Sequence, residues 1–272
     1  MAAVVNEVTG IWSLTGHLSG GTCRAKWDEL HALVAGQAQW LKAPRPGSPG
    51  LCAVCRAPSG RKQRCFQCEL HHQCAGDGLA DIVLPVAYSP KGGLLARHLR
   101  LYKSDPDATG RAAAAELLLA LLLVFLRDHG ACAWGAGRSA EPTHVAVVPT
   151  ARGRPGEHPL RALIAPYLTW RWADLAAQPD ERQRDLDPRR FSAQPVPGGR
   201  VLLLDDTWTT GASAQSAAMA LRRAGARSVT VVVGGRHLRP DQVGLLELSA
   251  AIAPFSTDTC AEHEAKHVVT RP

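Results

Sequence analysis

Aromatic residues are scarce in this chain, 5% of 272, and no unbroken apolar run reaches the length of a membrane span. The most apolar window, Ala112 to Leu126, is broken by Glu116. It falls short of the roughly 20 residues needed to cross a bilayer. It reads as a buried helix, and no membrane partner is expected. The N-terminus lacks the basic segment and apolar core of an export signal. No block of five like charges occurs, which argues against an acidic or basic interaction tail. No Gly-x-x-x-x-Gly-Lys-Ser/Thr is present, so a P-loop nucleotide site is excluded. No Ser-His-Asp or Cys-His arrangement stands out, and no catalytic Cys follows Met1. Covalent hydrolysis and glutamine-dependent amination within this chain are therefore not expected. No internal repeat is found.

What is present suits a packed globular protein. Apolar residues make up 46%, and Trp alone supplies seven of the aromatics. The net charge of +7, with a pI near 9.2, fits anionic small molecules or nucleic acid without choosing between them. Four regions are expected. Residues 1–50 form an N-terminal extension, with a helix over Lys26 to Leu41 and a Pro/Gly linker from Ala43 to Gly50. A cysteine-rich knuckle fills 51–76. An α/β domain spans 79–254, and 255–272 is a tail. Helices are expected over Leu94 to Leu101 and Arg111 to Arg127, the second between Gly110 and Gly130. His144 to Pro149, Val201 to Asp205 and Ser228 to Val233 read as strands. A helix from Ser213 to Ala224 joins the last two into a βαβ unit, which implies a parallel sheet. Ala176 to Gly199 reads as a long loop or irregular hairpin.

Cys52-x2-Cys55 is followed after nine residues by Cys65-x2-Cys68. Two such pairs can place four thiolates around one tetrahedral Zn²⁺. Arg56, Arg61, Lys62 and Arg64 nearby favour thiolate over thiol. Cys74 could replace Cys68, and His71 or His72 could compete. Cys23 and Cys132 read as small buried residues. Cys260-x2-His263-x3-His267 has ligand-like spacing on a helix. CxxC pairs without an export signal make the cytoplasm the expected location.

Residues Val201 to Ser213 read Val-Leu-Leu-Leu-Asp-Asp-Thr-Trp-Thr-Thr-Gly-Ala-Ser. An apolar strand ends in two carboxylates, Asp205 and Asp206. A loop rich in hydroxyls and one glycine follows, then a helix. A helix N-terminus offers N–H groups and partial positive charge to phosphate. The hydroxyls of Thr207, Thr209, Thr210 and Ser213 add donors, and Gly211 and Ala212 let the backbone come close. The carboxylates suit vicinal sugar hydroxyls and a divalent cation. One loop thus offers a phosphate cradle beside a ribose clamp.

This run resembles the phosphoribosyl-diphosphate loop of type I phosphoribosyltransferases, matching that signature from Val201 to Ser213. The resemblance implies an α/β fold, with a Rossmann-like parallel sheet flanked by helices. It also implies phosphoribosyl diphosphate as ligand, with Mg²⁺. Val147 to Arg154 is similar to the family's pyrophosphate loop, with Thr150, Ala151 and Gly153 presenting N–H groups and Arg152 pairing with the diphosphate. The segment 177 to 191, with Glu181, Arg182, Arg184, Asp185, Arg189 and Arg190, falls where the family places a closing loop. Tyr88 to Lys103 resembles the approach segment of ComF-like proteins, which join a four-cysteine zinc knuckle to this domain. Lys103 is the matching lysine and is placed to reach a phosphate. The resemblance covers roughly 51 to 236. It departs after the pyrophosphate loop, where Arg154-Pro-Gly-Glu-His-Pro-Leu160 replaces an Arg-Gly-Phe-Asn-Gln type sequence.

An enzyme of this type holds the ribose with Asp205 and Asp206 and steadies departing pyrophosphate with Arg152, metal and backbone donors. A nitrogen acceptor, nucleobase-like, then attacks. Nothing in the sequence names that acceptor, and a homodimer is left open. The alternative is a non-catalytic ComF-like protein. It would serve DNA uptake or processing, with DNA held by the basic knuckle, or sense phosphoribosyl diphosphate as a regulator.

Overall fold

The computed structural model describes residues 22–150, 157–178, 185–248 and 250–262. The elements in chain order are α1 (Thr22–Ala35), β1 (Lys42–Pro44), α2 (Phe66–Ala75), β2 (Ile82–Pro90), α3 (Leu94–Ser104), α4 (Ala108–Ala136), β3 (His144–Val147), α5 (Pro159–Ile164) and β4 (Arg171–Trp172). A hairpin follows, β5 (Leu175–Ala177) and β6 (Phe191–Ala193). The chain then continues through β7 (Arg200–Trp208), α6 (Ala212–Arg223), β8 (Ser228–Leu238), α7 (Pro240–Leu248) and β9 (Ile252–Pro254). Seven strands form one sheet in the order β4-β3-β7-β8-β2-β1-β9. The run from β4 to β2 is parallel, whereas β1 is antiparallel to both β2 and β9.

The apolar run of β7 explains the layering. Successive strand side chains point to opposite faces. Leu202 and Leu204 join a core with the leucines of α4, together with α1, α3 and α5. Val201 and Leu203 join a second core with Ala214, Ala217, Ala218 and Leu221 of α6. A strand covered on both faces needs no polar alternation, which is why it reads as a continuous hydrophobic stretch. Each such residue contributes roughly 1.5–3 kcal/mol on burial. The result is a mixed, mostly parallel sheet flanked by helices. The β7-α6-β8 unit forms as the sequence predicts, with Val201 opposite Val229 and Leu204 opposite Val232.

Three stretches differ from expectation. The helix expected over Arg111 to Arg127 is longer, because Asp107 caps it by accepting from the N–H groups of Thr109 and Gly110. It then runs through Gly130 to Ala136. At 29 residues it is long and apolar enough to cross a membrane, yet it is a core helix packed on the sheet and on α1 and α3. Lys42–Pro44 lies in and next to the stretch expected as a linker, but it pairs with β9. Buried Leu41 and Ala43 hold it there despite its flanking Pro and Gly. Strand β7 extends past Asp205 to Trp208, because β8 is long enough to pair with Thr207 and Trp208.

Candidate active site and metal centre

Cys52, Cys55, Cys65 and Cys68 converge, with one sulfur from each within 4.8 Å of the others. A tetrahedral zinc with Zn–S bonds of about 2.3 Å separates its sulfurs by about 3.8 Å. The Cys55 and Cys65 sulfurs lie 3.7 Å apart. A disulfide would need about 2.05 Å. Thiol hydrogen bonds from Cys55, Cys65 and Cys68 hold Cys52 well below the usual thiol range, and the same sharing pushes Cys55 and Cys68 up. Four sulfurs gathered at this spacing fit a soft divalent cation. Cys68 is buried and Cys74 is exposed, so the symmetric pairs make up the set.

The knuckle is seated on the sheet. Tyr88 on β2 donates its hydroxyl to the Arg56 carbonyl at 2.7 Å. Tyr88 is the register partner of Arg236 on β8. Arg236 donates to the carbonyls of Trp208 at 3.1 Å and Thr209 at 3.0 Å, bracing the exit of β7. Of the four basic knuckle residues, Arg56 pairs with Glu262 and Arg64 with Glu69. Arg61 and Lys62 are exposed.

The second site lies where the sheet changes winding direction. After β3 the chain turns outward to β4, and after β7 it turns the other way to β8. The carboxyl ends of β3 and β7 therefore flank the crevice in which open parallel sheets bind ligands. These ends are in register, with Val147 opposite Leu204 and the Val148 N–H donating to the Leu204 carbonyl at 3.0 Å. Thr150 follows two residues beyond Val148. Asp205 and Asp206 follow Leu204 on β7.

The two carboxylates occupy different surroundings. Asp206 is buried and takes both the Lys103 ammonium and the Tyr102 hydroxyl of α3. Asp205 is half-buried and accepts from the Asp206 N–H at 2.9 Å. Loss of solvent around its carboxyl, then the charge of Asp206, push its pKa up to about 8 against the pull of Lys103.

Beyond Trp208 the chain turns at Thr209 and Thr210, and the Thr210 hydroxyl accepts from the Ala212 N–H at 3.3 Å. Gly211 has φ +85 and starts α6. A Cβ there would lie 2.7 Å from Cη2 of Trp208 and nearer still to Cζ2 and Cε2. Only glycine fits both the left-handed backbone and that ring. Ser213 in the first turn of α6 accepts from the Arg190 guanidinium at 3.3 Å. Arg190 is buried, donates also to the Asp185 carbonyl at 2.7 Å, and ties the β5–β6 hairpin to the helix. The Asp187 N–H adds a bond to the Ser216 hydroxyl at 3.0 Å.

A cavity of about 270 Å³ opens at the carboxyl ends of β2, β7 and β8, bounded by Ser89, Leu99, Arg100, Thr207, Thr209 and His237. The Ser89 hydroxyl is fully buried there without a hydrogen-bond partner.

Of the expected residues, Asp205, Asp206, Thr207, Thr209, Thr210, Gly211, Ala212 and Ser213 run from the carboxyl end of β7 into α6, Lys103 of α3 reaches Asp206, and Thr150 follows β3. Ala151, Arg152 and Gly153 lie outside the described residues, as do Glu181, Arg182 and Arg184. Tyr102, Trp208 and Arg236 were not singled out from sequence. Tyr102 was readable in principle as the neighbour of Lys103 on an amphipathic helix. The other two depend on cross-strand packing.

No protein-family model matches the chain, and no curated protein matches it. Among solved structures, the chain is similar to a phosphoribosyltransferase from Corynebacterium diphtheriae, at 21% identity and a TM-score of 0.31, over 55% of this chain and 98% of that chain.

Proposed function

We propose that this protein binds phosphoribosyl diphosphate with Mg²⁺ and transfers the phosphoribosyl group to a nitrogen acceptor. One observation carries the reading. Two adjacent carboxylates lie near the carboxyl end of β7, the strand next to β3, and the turn after them starts a helix at a position that only glycine can occupy.

In this reading the 5-phosphate sits against the N-terminus of α6, with the hydroxyls of Thr209, Thr210 and Ser213 as donors. Asp205 accepts from the ribose hydroxyls. Loss of solvent, and then the charge of Asp206, disfavour its ionised form, and a nearby cation or sugar hydroxyls would favour it. Asp206, already held by Lys103 and Tyr102, orients Asp205 and carries charge toward the metal shell. When bound, Mg²⁺ supplies positive charge to the pyrophosphate and sugar oxygens. Thr150, Ala151, Arg152 and Gly153 would grip the leaving pyrophosphate. The bond from the anomeric carbon to the diphosphate oxygen breaks, its electron pair leaves with pyrophosphate, and the acceptor nitrogen bonds to the carbon. The acceptor would enter the cavity bounded by Thr207, Thr209 and His237. The four-cysteine knuckle, with structural Zn²⁺, would steady the exit of β7 through Tyr88 and Arg236.

Pyrophosphate release across a panel of nucleobases and ammonia tests the transfer step. Release with one acceptor is expected and names the substrate. Ligand binding without release on any acceptor would overturn transfer in favour of a non-catalytic protein, one acting in DNA uptake or sensing phosphoribosyl diphosphate.

A further inference from the structure

A second group of soft ligands gathers away from the knuckle. His129 and Cys132 stand one turn apart on α4, and Cys260 lies in the segment after β9. One ligand atom from each lies within 4.8 Å of the other two. All three side chains are buried, at 2%, 1% and 5% exposure, so solvent does not compete for them.

The Cys132 sulfur lies 3.9 Å from His129 Nδ1. Zinc held tetrahedrally at about 2.3 Å from sulfur and about 2.0–2.1 Å from nitrogen separates such a pair by about 3.5 Å. A movement of a few tenths of an ångström closes the gap. On the far side of the imidazole, Nε2 lies 3.0 Å from the Thr257 carbonyl oxygen. A carbonyl only accepts, so Nε2 carries the proton and Nδ1 turns its lone pair toward the sulfurs. A backbone carbonyl fixing the outer nitrogen is the usual support of a metal-binding histidine. Two sulfurs and one imidazole form a donor set that suits Zn²⁺ and disfavours Mg²⁺ or Ca²⁺.

We propose that His129, Cys132 and Cys260 bind a second Zn²⁺ ion, which clips the C-terminal segment to α4. On binding, the Cys132 and Cys260 thiols give up their protons to solvent, so two thiolates and a neutral imidazole face the ion. A water molecule or a further donor completes the tetrahedron. Burial makes the role structural. Arg56 on the knuckle pairs with Glu262, two residues beyond Cys260, so the clip also anchors a contact that reaches the first metal centre.

Elemental analysis of the full chain, purified from zinc-containing medium with a phosphine reductant, tests this. Two zinc ions per chain are expected, falling to one in Cys260→Ala and in His129→Ala, with Cys74→Ala keeping both. Far-UV circular dichroism separates loss of the site from loss of the fold, and the wild-type count stands without any variant. One zinc that Cys260→Ala removes and Cys52→Ser retains would also support the site, at the expense of the knuckle. One zinc that Cys260→Ala leaves in place would overturn the proposal. A wild-type mass short by two hydrogens, from a Cys132–Cys260 disulfide, would overturn it as well. None of these outcomes depends on phosphoribosyl diphosphate.

Discussion

Gly211→Ala is the sharpest single perturbation of the loop. Two costs add. The backbone at φ +85 is left-handed, which costs an L-residue roughly 1–2 kcal/mol. The new Cβ would also overlap the Trp208 ring, at 2.7 Å from Cη2 and less from two neighbouring ring carbons. That ring is 1% exposed and packed in the core, so it cannot swing aside. Forced overpacking of this kind costs typically about 1–3 kcal/mol. The expected loss is therefore about 2–5 kcal/mol. Urea unfolding followed by circular dichroism reads it as a lower midpoint with an unchanged slope. Gly135→Ala is the control, since Gly135 is helical and exposed with nothing within 4 Å of a Cβ. It is expected to gain about 0.5–1 kcal/mol. In a Trp208→Leu background the steric part of the Gly211→Ala cost should shrink and leave the backbone part. A Gly211→Ala protein within about 0.5 kcal/mol of wild type would refute the reasoning.

Two further predictions concern charge and metal. Asp205 rises from its ordinary value of 3.8 to about 8, so folding favours its protonated form. Its contribution to stability is full below about pH 4 and is lost as pH climbs through about 8. The ligand-free protein should lose stability across that window, and Asp205→Asn should flatten the decline. Equal slopes in urea titrations at several pH values would contradict this. Cys52→Ser should release about one zinc and cost about 3 kcal/mol, on the order of 6–12 °C in Tm. A zinc-free protein melting at the wild-type temperature would count against the knuckle.

The parts legible in sequence are those written locally. Val201 to Ser213 encodes its own strand, turn and helix, because an apolar run, a glycine and an alanine-rich stretch each specify one conformation. The CxxC pairs are likewise local. Strand β1 was hidden because Pro44 and its Pro- and Gly-rich surroundings read as a linker, and only pairing with β9 makes Lys42–Pro44 a strand. The pairing of Asp206 with Tyr102 and Lys103 needs α3 to cross the end of β7. Arg190 looked like one arginine among several in a charged loop, and its bond to Ser213 depends on how the hairpin folds back. In sequence Cys260 has ligand-like spacing with His263 and His267, which lie outside the described residues. The structure sets it against His129 and Cys132, far away in the chain.

Calorimetric titration with phosphoribosyl diphosphate, with and without Mg²⁺, tests the central claim most directly. It should compare the wild-type chain with a folded Asp205→Asn/Asp206→Asn variant. Mg²⁺-dependent binding by the wild type that the variant loses is the predicted result. No binding by the wild type, or equal affinity in the variant, would contradict the account.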